Sequence, residues 1–387
     1  MRPHVVGIHT PLLGNKIYSE MLRRSFESSS VIRYDAHWST EEQERDGGSF
    51  VGRQVERLSH KSWERLRANN LQFWTLRYEL GTSYWGRRTL NTILRGGRPD
   101  ALHFHSQNVA LLSLDVIRKI PSVISCDTTS YRMGEQRLAP EWRWTFRPSH
   151  AVERVAFHAA SAVVAFSEWA AESIVIQHGL PARRVHVIPP GVDVESFAPV
   201  VERPRRAAGA PLRLLFVGGE FERKGGPQLL ALFLERFAHT GMVELHIVTR
   251  DPIVSPHPAV VIHRGIEAFT EPWFTLYADA DIFVLPTTFD QAPIAYLEAM
   301  AAGLPIVTTR VGAAPEIVLD GETGFVVAGD QPNAFGDRID QLIASSEMRR
   351  AFAESALKRV ARRYSSKRNA ARLEELLGRV AASPTKG

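Results

Sequence analysis

The sequence predicts an α/β protein made of two successive units, each around a parallel sheet. Three observations predict it. Short apolar runs of strand length alternate with helical patterns along the whole chain. The 387 residues suffice for two or three domains at roughly 100–200 residues each. The Pro189-Pro190-Gly191 cluster, followed by the polar stretch Val201–Pro211, separates two series, each opening on an apolar strand and a Gly-containing turn.

In the first series, Val5–Thr10 predicts a strand, Pro11–Gly14 a turn, and about Tyr18–Glu27 a helix. Ala101–His105 and Ser122–Cys126 read as later strands of the same sheet. A helix at Ala151–Ala160, a strand at Ala162–Phe166, a helix at Glu168–His178 closed by Gly179, and a strand at Val185–Ile188 complete it. The second series runs through strands at Leu212–Val217, Val243–Thr249, Val260–His263, Ile282–Pro286, Pro305–Thr308 and Gly324–Val327, with helices from about Gly226 and over Ala295–Ala302. The tail, Ser365–Ala382, is helical by pattern. The expected domains are 1–190, 191–364 and a C-terminal helix, 365–387, packing back toward the first domain.

Hydrophobic residues make up 44% and charged residues 23%, the balance of a folded globular chain. Cys126 is the only cysteine, which excludes an intrachain disulfide and fits a reducing compartment. The apolar part of Met1–His9 is too short and interrupted for a signal peptide. No window of 18 apolar residues predicts a transmembrane helix. The expected location is cytoplasmic, with the inner face of the membrane as the alternative.

That alternative comes from the charge. The formal net charge is +5. Residues 1–200 carry 25 Lys and Arg against 20 Asp and Glu, whereas residues 201–387 carry 22 of each. The excess concentrates in segment 53–98, where ten basic residues meet only Glu56, Glu64 and Glu79. Arg53, Arg57, Lys61 and Arg65 recur every four residues, the spacing of one helical face. A solvated face is the ordinary reading, and peripheral contact with an anionic membrane the other. Nucleic acid is not an expected partner, because no recognition motif accompanies the charge.

The densest chemistry lies in Phe289–Gly303, FDQAPIAYLEAMAAG. Asp290 falls in the loop after a strand, and Glu298 inside the helix that follows. A strand end leading into a helix N-terminus aims backbone N–H groups and a positive dipole at a bound anion, and ligands of open α/β sheets bind at that edge. Carboxylates suit sugar and ribose hydroxyls, since each accepts two hydrogen bonds. Taken singly, Asp290 is equally a helix cap and Glu298 a surface residue. A second segment, Phe216–Gly225, puts Gly218 and Gly219 in a turn between strand and helix, followed by Arg223 and Lys224. Such a turn cradles phosphate or is only a tight connection.

Together these segments resemble the family-4 retaining glycosyltransferases. The resemblance rests on an acidic residue, seven others, then Glu (Asp290 to Glu298), Ala299-Met300-Ala301, Gly303-Leu304-Pro305-Ile306-Val307-Thr308, Gly312, Glu316 and Asp320–Phe325, all in the family's order. Lys224-Gly225 and the stretch from Ser167 to Phe197 add to it. It implies the GT-B fold, two Rossmann-like domains facing each other across a cleft. The implied activity is transfer from a UDP-, GDP- or ADP-linked sugar to a glycan, lipid-linked or other hydroxyl acceptor, with retention of configuration, in cell-surface polysaccharide or glycoconjugate synthesis. The donor sugar falls to Asp290 and to the segment Ala292, Pro293, Ile294 and Ala295 with the backbone amides near it, and the ribose to Glu298. The diphosphate falls to Gly218, Gly219 and Lys224, with Gly14 approaching from the N-terminal domain. Two positions depart from the family. Asp290 stands where Glu is usual, and Gly219 where Arg is usual; Arg223 is the expected replacement for that charge. Asp127 lies where some members carry an active-site His. The resemblance implies no bound cofactor and no metal. His9, His103 and His105 cluster near strand ends without an accompanying acidic or Cys ligand spacing. A nucleotide-sugar epimerase on the same fold and a catalytically degenerate partner protein are the competing readings. A dehydrogenase is disfavoured because no G-x-G-x-x-G follows a strand.

Overall fold

The structure, a computed structural model, describes residues 2–10, 13–61, 66, 69–202, 209–329 and 331–383, with backbone alone at 13–17. It divides into two compact units, Met1–Pro190 with Lys367–Gly387, and Gly191–Ser366.

The first unit holds β1 (His4–His9), β2 (Arg33–Trp38), β3 (Ala101–His105), β4 (Ser122–Cys126), β5 (Ala162–Ala165) and β6 (Val185–Val187). They pair in the order β2-β1-β3-β4-β5-β6, all parallel. Helices cover both faces, so β3, β4 and β5 are buried along their whole length. The last helix, Ser366–Ala381, belongs here: Ala370, Leu373, Leu376, Leu377 and Val380 pack with Val5, Tyr18, Leu22 and Ile32. Asn369 and Arg372 fasten it through hydrogen bonds to the carbonyls of Pro189 and Val187, at 3.1 and 2.8 Å.

The second unit holds β7 (Leu212–Val217), β8 (Val243–Val248), β9 (Val260–His263), β10 (Ile282–Leu285), β11 (Ile306–Thr309) and β12 (Gly324–Val327). Their order is β12-β11-β10-β7-β8-β9, again all parallel. From β7 the chain builds outward through β8 and β9; it then returns to β10 on the other side and builds through β11 and β12. The reversal opens a crevice at the carboxyl ends of β7 and β10, where doubly wound sheets bind ligands.

Several expectations are corrected. The first helix starts at Leu13, not near Tyr18, so Gly14 lies in its first turn rather than in a preceding loop; Pro11 and Leu12 fall outside the described residues. The strand β2 and the long helix Trp74–Arg95 were not foreseen. The four-residue basic repeat does not run along one helix. That helix is Phe50–His60, and Lys61 caps it in extended conformation with ψ 120°, while Arg65 is outside the described residues. Among the described residues, no helix is long and apolar enough to cross a membrane.

One feature of the first core is chemically costly. Glu79, on the helix Trp74–Arg95, and Glu153, on the helix Arg147–Ala159, are both buried. Glu153 accepts hydrogen bonds from the Ser130 amide and hydroxyl and from Gln107. One Glu79 oxygen has no hydrogen-bond partner. Burial, then the neighbouring Glu153, pushes the Glu79 carboxyl up to about 8, and burial raises Glu153 as well. A carboxyl whose pKa rises on folding holds a proton that the unfolded chain has lost. Its contribution to stability is therefore complete below the ordinary carboxyl pKa of about 4.3 and disappears as pH climbs toward 8. Replacement of Glu79 by Gln removes that loss. The Tm of Glu79→Gln relative to wild type is expected to rise between pH 5 and pH 8; a pH-independent difference would contradict a protonated Glu79.

Candidate active site in the second unit

The site is assembled by two loops at the β7/β10 crevice. After β7 the chain turns through Gly218–Lys224 and enters the helix Gly226–Arg236 at Gly225. Gly225 has φ +76°, and a Cβ there would stand 1.9 Å from the Pro286 carbonyl oxygen. Only glycine permits this approach. It brings the first loop against the second, which leaves β10 through Thr287, Thr288, Phe289 and Asp290. Both threonine hydroxyls donate to the Arg223 carbonyl, at 3.4 and 3.2 Å. The second loop is braced from its far side by Gly312, at φ +54°, where a Cβ would meet the Asp290 carbonyl oxygen at 2.2 Å; the Ala313 amide donates to the Gln291 carbonyl at 2.8 Å.

These contacts put Lys224 and Asp290 in a direct ion pair, Nζ to Oδ2. Arg223 lies beside them, its guanidinium 3.6 Å from the same carboxylate oxygen. Its other donors go to Glu220 at 2.9 and 3.1 Å and to the Phe289 carbonyl at 2.7 Å. Burial opposes the guanidinium charge, but Glu220 and Asp290 outweigh it and hold its pKa above the ordinary value. Arg223 thus clamps the two loops together. The space at Gly219, where the missing arginine would stand, is open. Its one near neighbour is another arginine: Arg250, exposed just beyond β8, has its Cδ 3.9 Å from where a Gly219 Cβ would be. That residue was not singled out from sequence, because 31 positions separate it from Gly219 and only the β7–β8 pairing brings them together.

Past Asp290 the helix Ile294–Ala301 begins with Pro293 as its N-cap, so Ala292–Ala295 form its entry. The two carboxylates have separate fates. Asp290 stays at the loop with its cations. Glu298 turns into the core, 4% exposed, and accepts a hydrogen bond from the Tyr277 hydroxyl at 2.7 Å. Burial lifts its pKa to about 7, against the pull of that hydrogen bond. The structure therefore brings together Gly218, Gly219, Arg223, Lys224, Asp290 and the helix entry, and sets Glu298 behind them against Tyr277.

In the first unit, Asp127 follows β4 and its carboxylate accepts from the Thr128 amide at 2.8 Å, at the lead-in to the helix Ser130–Arg137. His9, His103 and His105 are buried and joined in one chain. Ser19 Oγ links His9 and His105 at 2.8 and 3.1 Å, Tyr34 links His9 and His103 at 2.8 and 2.9 Å, and Ser125 meets His103 at 2.9 Å. Burial holds all three imidazoles well below their ordinary pKa, His105 at about 3, so they are neutral at physiological pH. Among the described residues, no group of three His, Cys, Asp or Glu is arranged to hold a metal ion.

Two units, each a six-stranded parallel sheet covered by helices, are the make-up of the GT-B fold. The solved structures agree. The chain superposes on sucrose-phosphate synthase from Thermosynechococcus elongatus with a TM-score of 0.72 at 17% identity, covering 99% of this chain and 100% of that one. It superposes on the Anabaena protein HepE in complex with UDP and glucose with a TM-score of 0.66 at 15% identity, over 97% and 99% of the two chains. Residues 211–345 match the family model for glycosyl transferases group 1, and residues 44–196 the model for glycosyltransferase family 4. The chain belongs to the family-4, group 1 glycosyltransferases. Among curated relatives, a D-inositol 3-phosphate glycosyltransferase of Corynebacterium urealyticum is 30% identical over 53% of each chain. A GDP-mannose-dependent alpha-(1-6)-phosphatidylinositol monomannoside mannosyltransferase of Mycolicibacterium smegmatis is 31% identical over 51% of this chain and 57% of that one. The matches span about half the length of these relatives.

Proposed function

We propose that this protein is a retaining glycosyltransferase that moves a sugar from a nucleoside-diphosphate donor to a hydroxyl acceptor in glycoconjugate synthesis. The observation that carries the reading is the Lys224–Asp290–Arg223 cluster at the β7/β10 switch point, in front of a helix entry. In the structure the cations are balanced by carboxylates. An entering diphosphate draws Lys224 toward itself, with Arg250 over Gly219 as a second cation. Asp290, released from the ion pair, then accepts hydrogen bonds from donor-sugar hydroxyls. The bond between the anomeric carbon and the diphosphate oxygen breaks, the acceptor oxygen bonds to that carbon on the same face, and the acceptor proton passes to the departing phosphate oxygen. Charge accumulates on the diphosphate, so the chemistry needs fixed cations and amides more than a strong base. Lys224, Arg250 and the amides of Ile294 and Ala295 meet that need without a bound metal. Asp127 serves in this reading as a contact for donor or acceptor hydroxyls, and the Gly14 turn as a second approach to phosphate.

The relatives' names direct the first trials to GDP- and UDP-linked hexoses, with a polyol phosphate or a lipid-linked polyol as acceptor. In a thermal-shift panel of UDP-, GDP- and ADP-sugars, one nucleotide class is expected to stabilise the protein, by about 2.7 kcal/mol at 100 times its Kd. Turnover with that donor is expected to persist in EDTA. No shift with any nucleotide would overturn the donor reading; epimerised donor formed without acceptor would replace it with the epimerase reading; and loss of turnover in EDTA restored by Mn²⁺ would end the metal-free part.

A further inference from the structure

The helix Phe50–His60 in the first unit is built inside out. Its buried side is small and polar. Gly52 packs against the end of the preceding helix, Ser39–Asp46, where a Cβ would meet the Asp46 carbonyl oxygen at 2.5 Å. Ser59 packs on Gly81 of the helix Trp74–Arg95, where a Cβ would lie 2.5 Å from the serine's own. Glu56 accepts from the Trp85 indole at 2.7 Å and from Gln43 at 3.0 Å. Its large apolar residues face out instead: Phe50 is 69% exposed, Val51 52% and Leu58 60%. At about 100° per residue, Phe50, Leu58 and Val51 form one ridge roughly 100° wide. Arg57, Arg53 and His60 lie along one flank of it, all exposed. Neither Arg53 nor Arg57 has an ion pair among the described residues. The helix is held in this pose by Arg77, which donates to the carbonyls of Leu58 and Lys61.

A globular helix normally buries its apolar stripe. An exposed stripe on a preformed helix marks a surface that something else covers. The basic flank says what. An apolar ridge beside a row of cations is the arrangement of helices that lie in the headgroup region of anionic bilayers. A partner helix or a second copy would need its own acidic complement to Arg53 and Arg57, whereas an anionic bilayer offers acyl chains and phosphates together. We infer that this helix is a membrane-surface anchor, with Phe50, Val51 and Leu58 entering the headgroup–acyl boundary of an anionic bilayer and Arg53 and Arg57 meeting lipid phosphates. The inference rests on the first unit alone and stands apart from the donor site in the second.

The test is co-sedimentation of the full chain with vesicles of phosphatidylcholine mixed with phosphatidylglycerol, against vesicles of phosphatidylcholine alone. Binding to the mixed vesicles only, weakening with added salt, is expected. Arg53→Gln and Arg57→Gln are each expected to weaken it about fivefold, and Leu58→Ser with Phe50→Ser to abolish it. All four residues are exposed, and an unchanged Tm confirms that each variant folds. Equal binding to both vesicle types, no binding at low salt, or indifference to both variant sets would overturn the inference. So would a concentration-dependent dimer that Leu58→Ser dissociates, since the ridge would then be covered by a second copy. Donor-induced stabilisation is measured separately and is unaffected by any of these outcomes.

Discussion

Replacement of Lys224 by alanine is expected to lower kcat/KM for donor transfer by about 10²–10³, the cost of removing one preorganised group that stabilises leaving-group charge. The fall should lie mainly in kcat, because the charge that Lys224 meets grows as the sugar–phosphate bond breaks. The substitution also takes from Asp290, 7% exposed, the nearer of its two cations and leaves only Arg223 at 3.6 Å, and a buried carboxylate that loses a partner destabilises in its own right. Lys224→Met combined with Asp290→Asn separates the two effects. Stability should return in the double variant while turnover stays low. Arg250→Ala gives the complementary result. Arg250 is exposed and more screened, so a loss of about tenfold is expected, and it should appear in donor affinity. Full activity in Lys224→Ala would remove the lysine from the chemistry and leave the ion pair as loop architecture. An Arg250→Ala enzyme with wild-type donor affinity would return the missing charge at Gly219 to Arg223.

How much of this was legible in the sequence follows from where the signals are local. β3 and β4 are buried throughout and β7 over its last four residues, so apolar residues predominate in them despite Arg213, His103, His105, Ser122 and Ser125, and their bounds are read to within a residue or so. β2, with the polar pattern Arg33-Tyr34-Asp35-Ala36-His37-Trp38, sits at a sheet edge half exposed and carries no such run. The helix Trp74–Arg95 buries Trp85 and Leu90, but the rest of its buried face is Thr75, Glu79, Gly81, Ser83, Gly86 and Thr89, so the apolar periodicity that would announce a helix is weak. The basic repeat failed for a related reason. A four-residue spacing is necessary for a helical face but does not carry the backbone through Lys61.

At the site, the pairing of Lys224 with Asp290 could be suspected because both lie in recognisable turn-and-helix segments. The resemblance separates the roles of Asp290 and Glu298, but their different surroundings, cations for one and Tyr277 for the other, do not follow from spacing. Tyr277, which holds Glu298, lies on the helix Glu271–Asp279, before β10, and has no local signature. Arg250 is the clearest case. Its position over Gly219 depends on the register Val217 opposite Val248, a tertiary fact. The side chain nearest the open space at Gly219 comes from the residues just after the neighbouring strand, and only the pairing of strands brings the two together.

The second large effect is expected at Gly225, and it tests the architecture rather than the chemistry. Alanine there must adopt φ +76° and place a methyl 1.9 Å from the Pro286 oxygen. The left-handed backbone costs about 1–2 kcal/mol and the overpacking a further 1–3, unless the β10 loop moves away. If it moves, Asp290 leaves Lys224 and donor binding is lost with part of the stability. Gly225→Ala is therefore expected to lose about 2–5 kcal/mol in denaturant unfolding, together with the nucleotide-sugar thermal shift. Gly219→Ala is the internal control. Its Cβ would enter open space, with only Arg250 at 3.9 Å, so stability should stay within about 0.5 kcal/mol of wild type. A Gly225→Ala protein as stable as Gly219→Ala and still responsive to donor would show that the two loops are not locked at the Pro286 carbonyl. The proximity of Lys224 and Asp290 would then need another cause than the glycine between them and the strand.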